Sequence, residues 1–379
     1  MNPPLGELDT ATFLQEYWQK KPLLIRQAFP GFQPELDIND IAGLACEELA
    51  ESRLVSGSYP AHDWTLRYGP FDEDTLSGLP DSDWTLLVQD VEKHYPPLKP
   101  LLNVFEFLPR WRLDDLMVSV AAKGGSVGPH TDQYDVFLLQ AKGRRKWQIA
   151  ENYDPDLLND CELNVLTSFE PEQEWVLEPG DMLYLPPGIA HHGIALDTCM
   201  TWSAGMRAPS AADLFQALGE WLAEKHAEGR RYADPDLQDG QPGGEIDANS
   251  IRRMRELAID ALQDESGFAG FLGEFLSRYR LAHVPAPPAD AVKLTGLIWA
   301  LDQGFRLRQN PWTRLFWIKL EGQAALFAAG TRYSCSADTA AVICEDTLLK
   351  ERGGELAASE SELLCRLVND GHLYLEDAS

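Results

Sequence analysis

Glycine and proline punctuate the chain at residues 124–129, and a strand-like stretch that ends in apolar residues then begins. The stretch Asp132–Gln140 predicts one β-strand, Ala141–Gly143 predicts a turn, and Arg144–Ile149 predicts the next strand. Successive strand residues point to opposite faces of a sheet. We therefore expect each strand to present one set of side chains to the interior and the other set away from it.

The second of these strands places an arginine among its inward-facing residues. Trp147 and Ile149 should face inward, and Arg145 lies on their side, whereas Arg144 lies on the other. An unpaired buried guanidinium is costly, and arginine suits a bidentate grip on a carboxylate. Arg145 should therefore meet an anion, which is either an internal Asp or Glu or an anionic ligand.

Two histidines and a carboxylate form a candidate metal site. His130 and Asp132 are two residues apart and should project the same way, and His191, on a neighbouring strand, can complete a set of three ligands. Such a set leaves positions open for substrate and O2, as in non-haem Fe(II) oxygenases. The alternative is that His130-x-Asp132 is a satisfied polar pair at a turn. His192 competes with His191, but alternation turns it to the opposite face.

Three amphipathic helices are expected between residues 209 and 282. Ser210 and Asp213 have the spacing of a capping box at the start of the first helix. Each helix carries a wide apolar stripe, so the three either pack on the preceding domain or pair with a second subunit. If they pair, Leu218 and Phe275 are expected at the subunit interface.

The last part of the chain alternates helices and strands. A helix is predicted at 294–301, strands at 315–320 and 324–329, a further helix at 359–369 and a short strand at 372–375. This order is typical of a winged-helix module. Residues 289–379 hold nine Lys and Arg against thirteen Asp and Glu, so the basic surface of a DNA-binding domain is missing. We expect a structural or protein-contacting module that does not bind DNA directly.

Composition narrows the class of protein. A length of 379 residues suggests two or three domains. The six cysteines lack Cys-x-x-Cys spacing, no apolar run reaches the ~20 residues of a membrane helix, and no signal peptide is evident. A cytoplasmic, soluble protein with no membrane contact is expected. The net charge of −28 repels nucleic acid and suits a basic partner, although general solubility explains it equally well.

Several stretches carry a family resemblance. Gly180–His191 resembles the second cupin motif, and His130-x-Asp132 followed by Arg145 resembles the JmjC class of 2-oxoglutarate oxygenases. The stretches Trp111–Trp147 and Tyr17–Arg26 are similar to the bacterial ribosomal oxygenases. The resemblance extends over residues 10–207, and the pattern departs from the family at Thr201, on the strand after His191.

The resemblance implies an α+β protein with a double-stranded β-helix (jelly-roll) core at 1–208, a helical dimerisation region at 209–282 and a winged-helix domain at 283–379. It implies that His130, Asp132 and His191 bind Fe(II) and form the catalytic centre, and that Arg145 holds the distal carboxylate of 2-oxoglutarate. O2 is then the second co-substrate.

The implied function is hydroxylation of an arginine in a basic ribosomal protein, L-sixteen of the large subunit, by a homodimer. The alternatives are a demethylase that uses the same site and a metal-binding cupin without catalytic activity.

Overall fold

The computed structural model describes residues 3–159, 161–225, 231–237, 244–320, 323–344 and 358–377. The chain divides into two compact units, Met1–Ala208 and Pro209–Ser379. Among the described residues, no helix is both long enough and apolar enough to cross a bilayer.

Strands make up most of the first unit. They are β1 Leu23–Ile25, β2 Ser52–Ser56, β3 Thr65–Tyr68, β4 Trp84–Val88, β5 Leu113–Ala121, β6 His130–Thr131, β7 Val136–Lys142, β8 Arg145–Ala150, β9 Gln173–Leu177, β10 Met182–Leu185, β11 Ala190–Ala195 and β12 Cys199–Met206. Short helices accompany them: α1 Thr10–Glu16, α2 Ile38–Leu44, α3 Glu73–Ser77, α4 Val91–His94 and α5 Lys99–Leu102.

Two sheets share the strands from β5 onward. The larger sheet has the order β1-β10-β7-β12-β5-β4-β2-β3, and the smaller has the order β6-β11-β8-β9. The strands β5 to β12 therefore supply four members to each sheet, and every pairing among them is antiparallel. This is the connectivity of a double-stranded β-helix, so the predicted jelly-roll core is confirmed.

Strand β7 is buried on both faces, which explains its nearly continuous apolar sequence. Phe137 and Leu139 belong to a large core that also contains Phe13 of α1. Val136 and Leu138 belong to a second core, shared with inward residues of β8 and β10. Because both faces are covered, the alternation of polar and apolar residues that marks a half-exposed strand is suppressed here.

The prediction of one continuous strand over Asp132–Gln140 was wrong. Strand β6 ends at Thr131 in the smaller sheet, and β7 begins at Val136 in the larger one. The chain crosses between the sheets at this point, and the buried Asp135 anchors it. Its carboxylate accepts hydrogen bonds from Arg112 Nη2 at 3.0 Å and from the Tyr184 hydroxyl at 2.6 Å. These partners are remote in sequence, so the local pattern did not reveal the crossing.

The second unit contains helices and short sheets. Its helices are α6 Ala211–Lys225, α7 Ala248–Asp260, α8 Glu265–Arg278, α9 Leu294–Asp302, α10 Ala337–Cys344 and α11 Ala358–Asn369. Its strands are β13 Arg306–Gln309, β14 Leu315–Leu320, β15 Gln323–Ala328, β16 Thr331–Cys335 and β17 Leu373–Glu376. The sheet β14-β15-β16 and the pair β13-β17 enclose a core with α9, α10 and α11. Sequence patterns found most of these elements but missed β13, β16 and α10.

Helices α6 and α8 pack against each other, whereas α7 keeps its apolar stripe exposed. The capping box forms, since the backbone N–H of Asp213 donates to Ser210 Oγ at 3.1 Å and that of Ser210 donates to the Asp213 carboxylate at 2.8 Å. Leu218 and Phe275 are buried between α6 and α8 of one chain, so their expected position at a subunit interface was wrong. On α7, Ile251 and Met254 are 59% and 54% exposed.

Candidate metal centre

Strand register brings the two histidines together. His130 on β6 is the direct partner of His191 on β11, and directly opposed residues of an antiparallel pair point to the same face. Their ring centroids lie 4.2 Å apart. The loop after β6 carries Asp132, whose backbone carbonyl accepts a hydrogen bond from the Gly188 N–H at 2.8 Å. That bond ties the loop to the turn that precedes β11.

The three side chains form a compact donor set. The Asp132 carboxylate lies 3.6 Å from His191 Nε2, and one potential ligand atom from each of His130, Asp132 and His191 lies within 4.8 Å of the other two. Among the described residues this is the sole group of three or more His, Cys, Asp or Glu side chains with that property. Two imidazoles and one carboxylate suit a divalent metal of the first transition row and leave coordination positions open.

Hydrogen bonds orient both imidazoles. His130 Nδ1 lies 2.9 Å from the carbonyl oxygen of Gly128, and His191 Nδ1 lies 3.0 Å from that of Ile189. Donation from Nδ1 to a carbonyl leaves Nε2 with its lone pair free for a metal, which is the usual arrangement of metal-binding histidines. Burial, with His130 nearby, lowers the pKa of His191 to about 4, so this ring is neutral at pH 7. The residues present therefore fit a metal ion.

His192 occupies the other side of strand β11. It pairs with Gln148, whereas His191 pairs with Ile149, so the two histidines face opposite sides of the smaller sheet. The His192 ring is buried against the ring of Tyr59, with centroids 5.6 Å apart. Burial lowers its pKa to about 3. Its position is that of a packed aromatic side chain outside the donor set.

Arg145 faces the space between the sheets, as the alternation predicts. It is 4% exposed, and no carboxylate of the described residues forms an ion pair with it. Its Nη1 donates to Ser119 Oγ at 3.2 Å and to Thr201 Oγ1 at 3.3 Å, and its Nε is buried without a hydrogen-bond partner in that part of the chain. Of the two alternatives left by the sequence, the described structure favours the anionic ligand over an internal salt bridge.

Trp147 lies close to both Arg145 and His191. The guanidinium lies 5.4 Å from the Trp147 ring, and that ring lies 5.9 Å from the ring of His191. Gly193 is the strand partner of Trp147, and a Cβ at this glycine would lie 2.7 Å from the indole. Only glycine at this position therefore leaves room for the indole beside His191 without displacement.

Sequence reasoning named Thr201 only as a departure from the family pattern, and it missed Ser119 and Gln140, two further polar residues near Arg145. Ser119 on β5, Gln140 on β7 and Thr201 on β12 are all buried and all lie near the guanidinium end of Arg145. Each is a polar residue between two buried apolar neighbours in the sequence, and that is the signal that could have identified them. A buried polar side chain must find a hydrogen-bond partner, so three of them on adjacent strands indicate a shared polar pocket.

The fold and the donor set together define a class of protein. A double-stranded β-helix with two inward histidines and a carboxylate, next to a buried arginine without a carboxylate partner among the described residues, is the architecture of the JmjC type of cupin oxygenase. Comparison with family models agrees: residues 100–214 match the JmjC domain and residues 260–374 match the ROXA-like winged helix. The predicted winged-helix domain is thereby confirmed.

Known proteins narrow the class to a family. The ribosomal protein uL16 3-hydroxylase of Escherichia coli (strain K12) is 33% identical over 380 residues, which cover 97% of this chain and 98% of that protein. The X-ray structure of E. coli YcfD superposes with a TM-score of 0.87 at 30% identity, covering 99% of this chain and 100% of that one. The structure of YcfD, a ribosomal oxygenase, in complex with cobalt and 2-oxoglutarate gives a TM-score of 0.82 at 30% identity, covering 98% and 99%.

The chain belongs to the JmjC-domain ribosomal oxygenases. This family membership confirms the predicted enzyme class, a 2-oxoglutarate-dependent dioxygenase that uses Fe(II) and O2. It also favours an enzyme over a metal-binding cupin without catalytic activity.

Proposed function

We propose that this chain is a protein hydroxylase that oxidises an arginine side chain of ribosomal protein uL16 and acts in the cytoplasm, where ribosomes are made. The observation that carries the proposal is the pairing of a two-histidine, one-carboxylate donor set with Arg145, a buried cation without an anionic partner among the described residues. Similarity to the E. coli uL16 3-hydroxylase along nearly the whole chain supports the choice of substrate.

His130, Asp132 and His191 are the residues that would hold Fe(II). The bound metal would activate O2 for oxidation of an unactivated C–H bond, with 2-oxoglutarate as the two-electron reductant. In the balanced reaction, one oxygen atom enters the substrate C–H bond as a hydroxyl group. The other enters succinate, and CO2 leaves from 2-oxoglutarate.

Arg145 would bind the distal carboxylate of 2-oxoglutarate. A buried guanidinium in a low-dielectric pocket attracts a carboxylate strongly, and its planar donors suit bidentate contact. Burial lowers the pKa of Arg145 below its ordinary value, which is the electrostatic cost of holding this cation without an anion. An incoming carboxylate would offset that cost, so the pocket favours a dianionic co-substrate.

Two further features bear on the substrate and the assembly. The chain carries 60 acidic and 32 basic residues, which favours approach by a basic ribosomal protein over approach by exposed RNA. The exposed apolar stripe of α7, with Ile251 and Met254, supports a homodimer in which this helix meets a second copy.

The proposal can be tested with the purified full-length protein, Fe(II), ascorbate, 2-oxoglutarate and uL16. We expect succinate to form in proportion to a gain of one oxygen atom in uL16. Loss of a methyl group from a methylated uL16, with no oxygen retained, would identify a demethylase instead. Absence of succinate with every component present would contradict an enzymatic role for this chain.

A further inference from the structure

Gln140 is a buried amide whose orientation is set by the backbone around it. Its Nε2 donates to the carbonyl oxygen of Lys142 at 2.9 Å and to that of Gly143 at 3.4 Å. Both neighbours are acceptors, so a flipped amide would place its oxygen against two carbonyl oxygens. The Oε1 atom is therefore fixed on the opposite side, towards β12.

The orientation of Gln140 determines how Thr201 uses its hydroxyl group. Thr201 Oγ1 donates its hydrogen to Gln140 Oε1 at 3.1 Å. A hydroxyl has one hydrogen and two lone pairs, so Thr201 can offer only lone pairs to any other neighbour. One of them accepts the hydrogen bond from Arg145 Nη1 at 3.3 Å.

Ser119 is constrained in the same way from the adjacent strand. Its hydroxyl donates to the backbone carbonyl of Thr201 at 3.4 Å and accepts from Arg145 Nη1 at 3.2 Å. Nη1 therefore meets two acceptors, and neither hydroxyl keeps a hydrogen for a ligand. The buried Nε of Arg145 has no partner among the described residues, so the guanidinium itself presents the donor to an incoming anion.

We infer that Gln140 is a positioning residue for 2-oxoglutarate, which acts through Thr201 to hold Arg145 in the orientation that meets the distal carboxylate. The inference rests on the proposed function, since it assumes that the anion at Arg145 is 2-oxoglutarate. It assigns Thr201 no donor contact to the co-substrate.

Because Gln140 acts on Arg145 only through Thr201, the effects of substituting the two residues can be predicted. Gln140→Met and Thr201→Val should each weaken 2-oxoglutarate binding by about threefold to tenfold. Thr201→Val removes one acceptor from Arg145, whereas Gln140→Met releases the Thr201 hydroxyl from the orientation in which it accepts from Arg145. The double variant should bind 2-oxoglutarate about as tightly as the single variant with the lower affinity. The two effects are not additive, because Gln140 acts only through Thr201. Thr201→Ser keeps the hydroxyl and should stay within about twofold of the native affinity.

The matched control is Gln148→Met, the same substitution on the outward face of β8. Gln148 donates to Glu174 at 3.0 Å in an exposed pair and is the strand partner of His192, on the face of β8 opposite Arg145. We expect native affinity for 2-oxoglutarate in this variant. If Gln140→Met fails to fold, Thr201→Val and Thr201→Ser still test the inference. Serine keeps the hydroxyl that accepts from Arg145, and valine removes it.

The measurement is the dissociation constant of 2-oxoglutarate for the full-length protein loaded with Mn(II), determined by calorimetry without protein substrate. The thermal midpoint of each variant without 2-oxoglutarate is recorded alongside, because a purely structural role would lower it and leave the affinity of the folded protein unchanged. Native affinity in Thr201→Val and Gln140→Met, or strict additivity in the double variant, would overturn the positioning role. Failure of the native protein to bind 2-oxoglutarate would instead overturn the proposed function.

Discussion

His130 and His191 are direct partners across strands β6 and β11, and their ring centroids lie 4.2 Å apart. One antiparallel register therefore places both imidazoles, and a shift of one residue would replace His191 with His192 on the inner face. The candidate metal centre therefore depends on the register in which β6 and β11 pair.

The adjacent histidines give the first prediction. His191→Ala should lose iron and lower turnover by at least about 100-fold, since even residues that only support metal ligands contribute about 10- to 100-fold. His192→Ala should retain most of its turnover and lose about 1–3 kcal/mol of stability, because the ring is buried against Tyr59. Iron content and succinate formed per enzyme measure both effects. An inactive His192→Ala beside an active His191→Ala would mean that the register is off by one residue.

Arg145 and Arg144 form a second matched pair. Arg145→Ala should raise the 2-oxoglutarate requirement tenfold or more with iron binding largely intact, because loss of a charge-assisted contact costs about 1.5–3 kcal/mol. Arg144→Ala is the control: its side chain is 53% exposed and pairs with Asp197 at 2.9 Å. The apparent KM for 2-oxoglutarate checks both variants, and an unchanged KM in Arg145→Ala would refute the assignment.

Assembly is the subject of the third prediction. If α7 forms a dimer contact, Ile251→Arg and Met254→Arg should shift the protein from dimer to monomer, because each would bury an unpaired charge in the contact. The control is Tyr68→Arg, because Tyr68 on β3 of the first unit is about as exposed as Ile251 and Met254. This substitution should leave the dimer intact. Sedimentation velocity at micromolar concentration distinguishes the two states. A monomeric native protein would contradict the assembly proposed here.

Glu92 gives a prediction about pH. Burial raises the pKa of this carboxyl group to about 7, from an ordinary value of 4.5. The folded protein thus binds the proton more tightly than the unfolded chain, so the stabilising contribution is complete below pH 4.5 and is lost as the pH rises through about 7. Glu92→Gln removes the titration and keeps an oxygen that can accept from the Leu116 N–H, now at 2.9 Å.

As the pH rises from 5 to 8, the native protein should therefore lose about 1–3 kcal/mol of unfolding free energy that the Glu92→Gln variant keeps. Denaturant unfolding at several pH values measures the difference. Glu106→Gln is the control, because Glu106 forms an exposed pair with Arg110 and should change stability by less than about 1 kcal/mol at any pH. Parallel pH profiles for the native protein and Glu92→Gln would show that Glu92 does not titrate in this range.

Short-range alternation was enough to place Arg145 and His191, whereas Asp132 lies in the loop after β6, where strand alternation does not apply. Arg145 faces inward, Arg144 faces outward, and His191 and His192 lie on opposite faces, all as period-two spacing predicts. The roles of these residues stay predictions, because the structure gives their positions and not their chemistry. Glycine located the turn between β7 and β8 approximately, since its backbone preferences act locally. Strand β7 continues to Lys142, so the turn begins two residues later than the predicted Ala141.

Local sequence patterns could not predict features that depend on contacts between residues distant in the sequence. The break between β6 and β7 depends on Asp135, which is anchored by Arg112 and Tyr184. The burial of Phe275 between α6 and α8 likewise depends on tertiary packing within the second unit. An apolar stripe shows that a helix needs a partner, but it does not show whether the partner lies in the same chain.

The proposed function requires that this chain insert one oxygen atom into an arginine side chain of uL16. The most direct measurement is tandem mass spectrometry of uL16 after incubation with the full-length enzyme, Fe(II), 2-oxoglutarate and O2, with His191→Ala as the inactive control. We expect one added oxygen atom on an arginine residue, present with the native enzyme and absent with the variant. An unmodified uL16, or an added oxygen on a residue other than arginine, would contradict it.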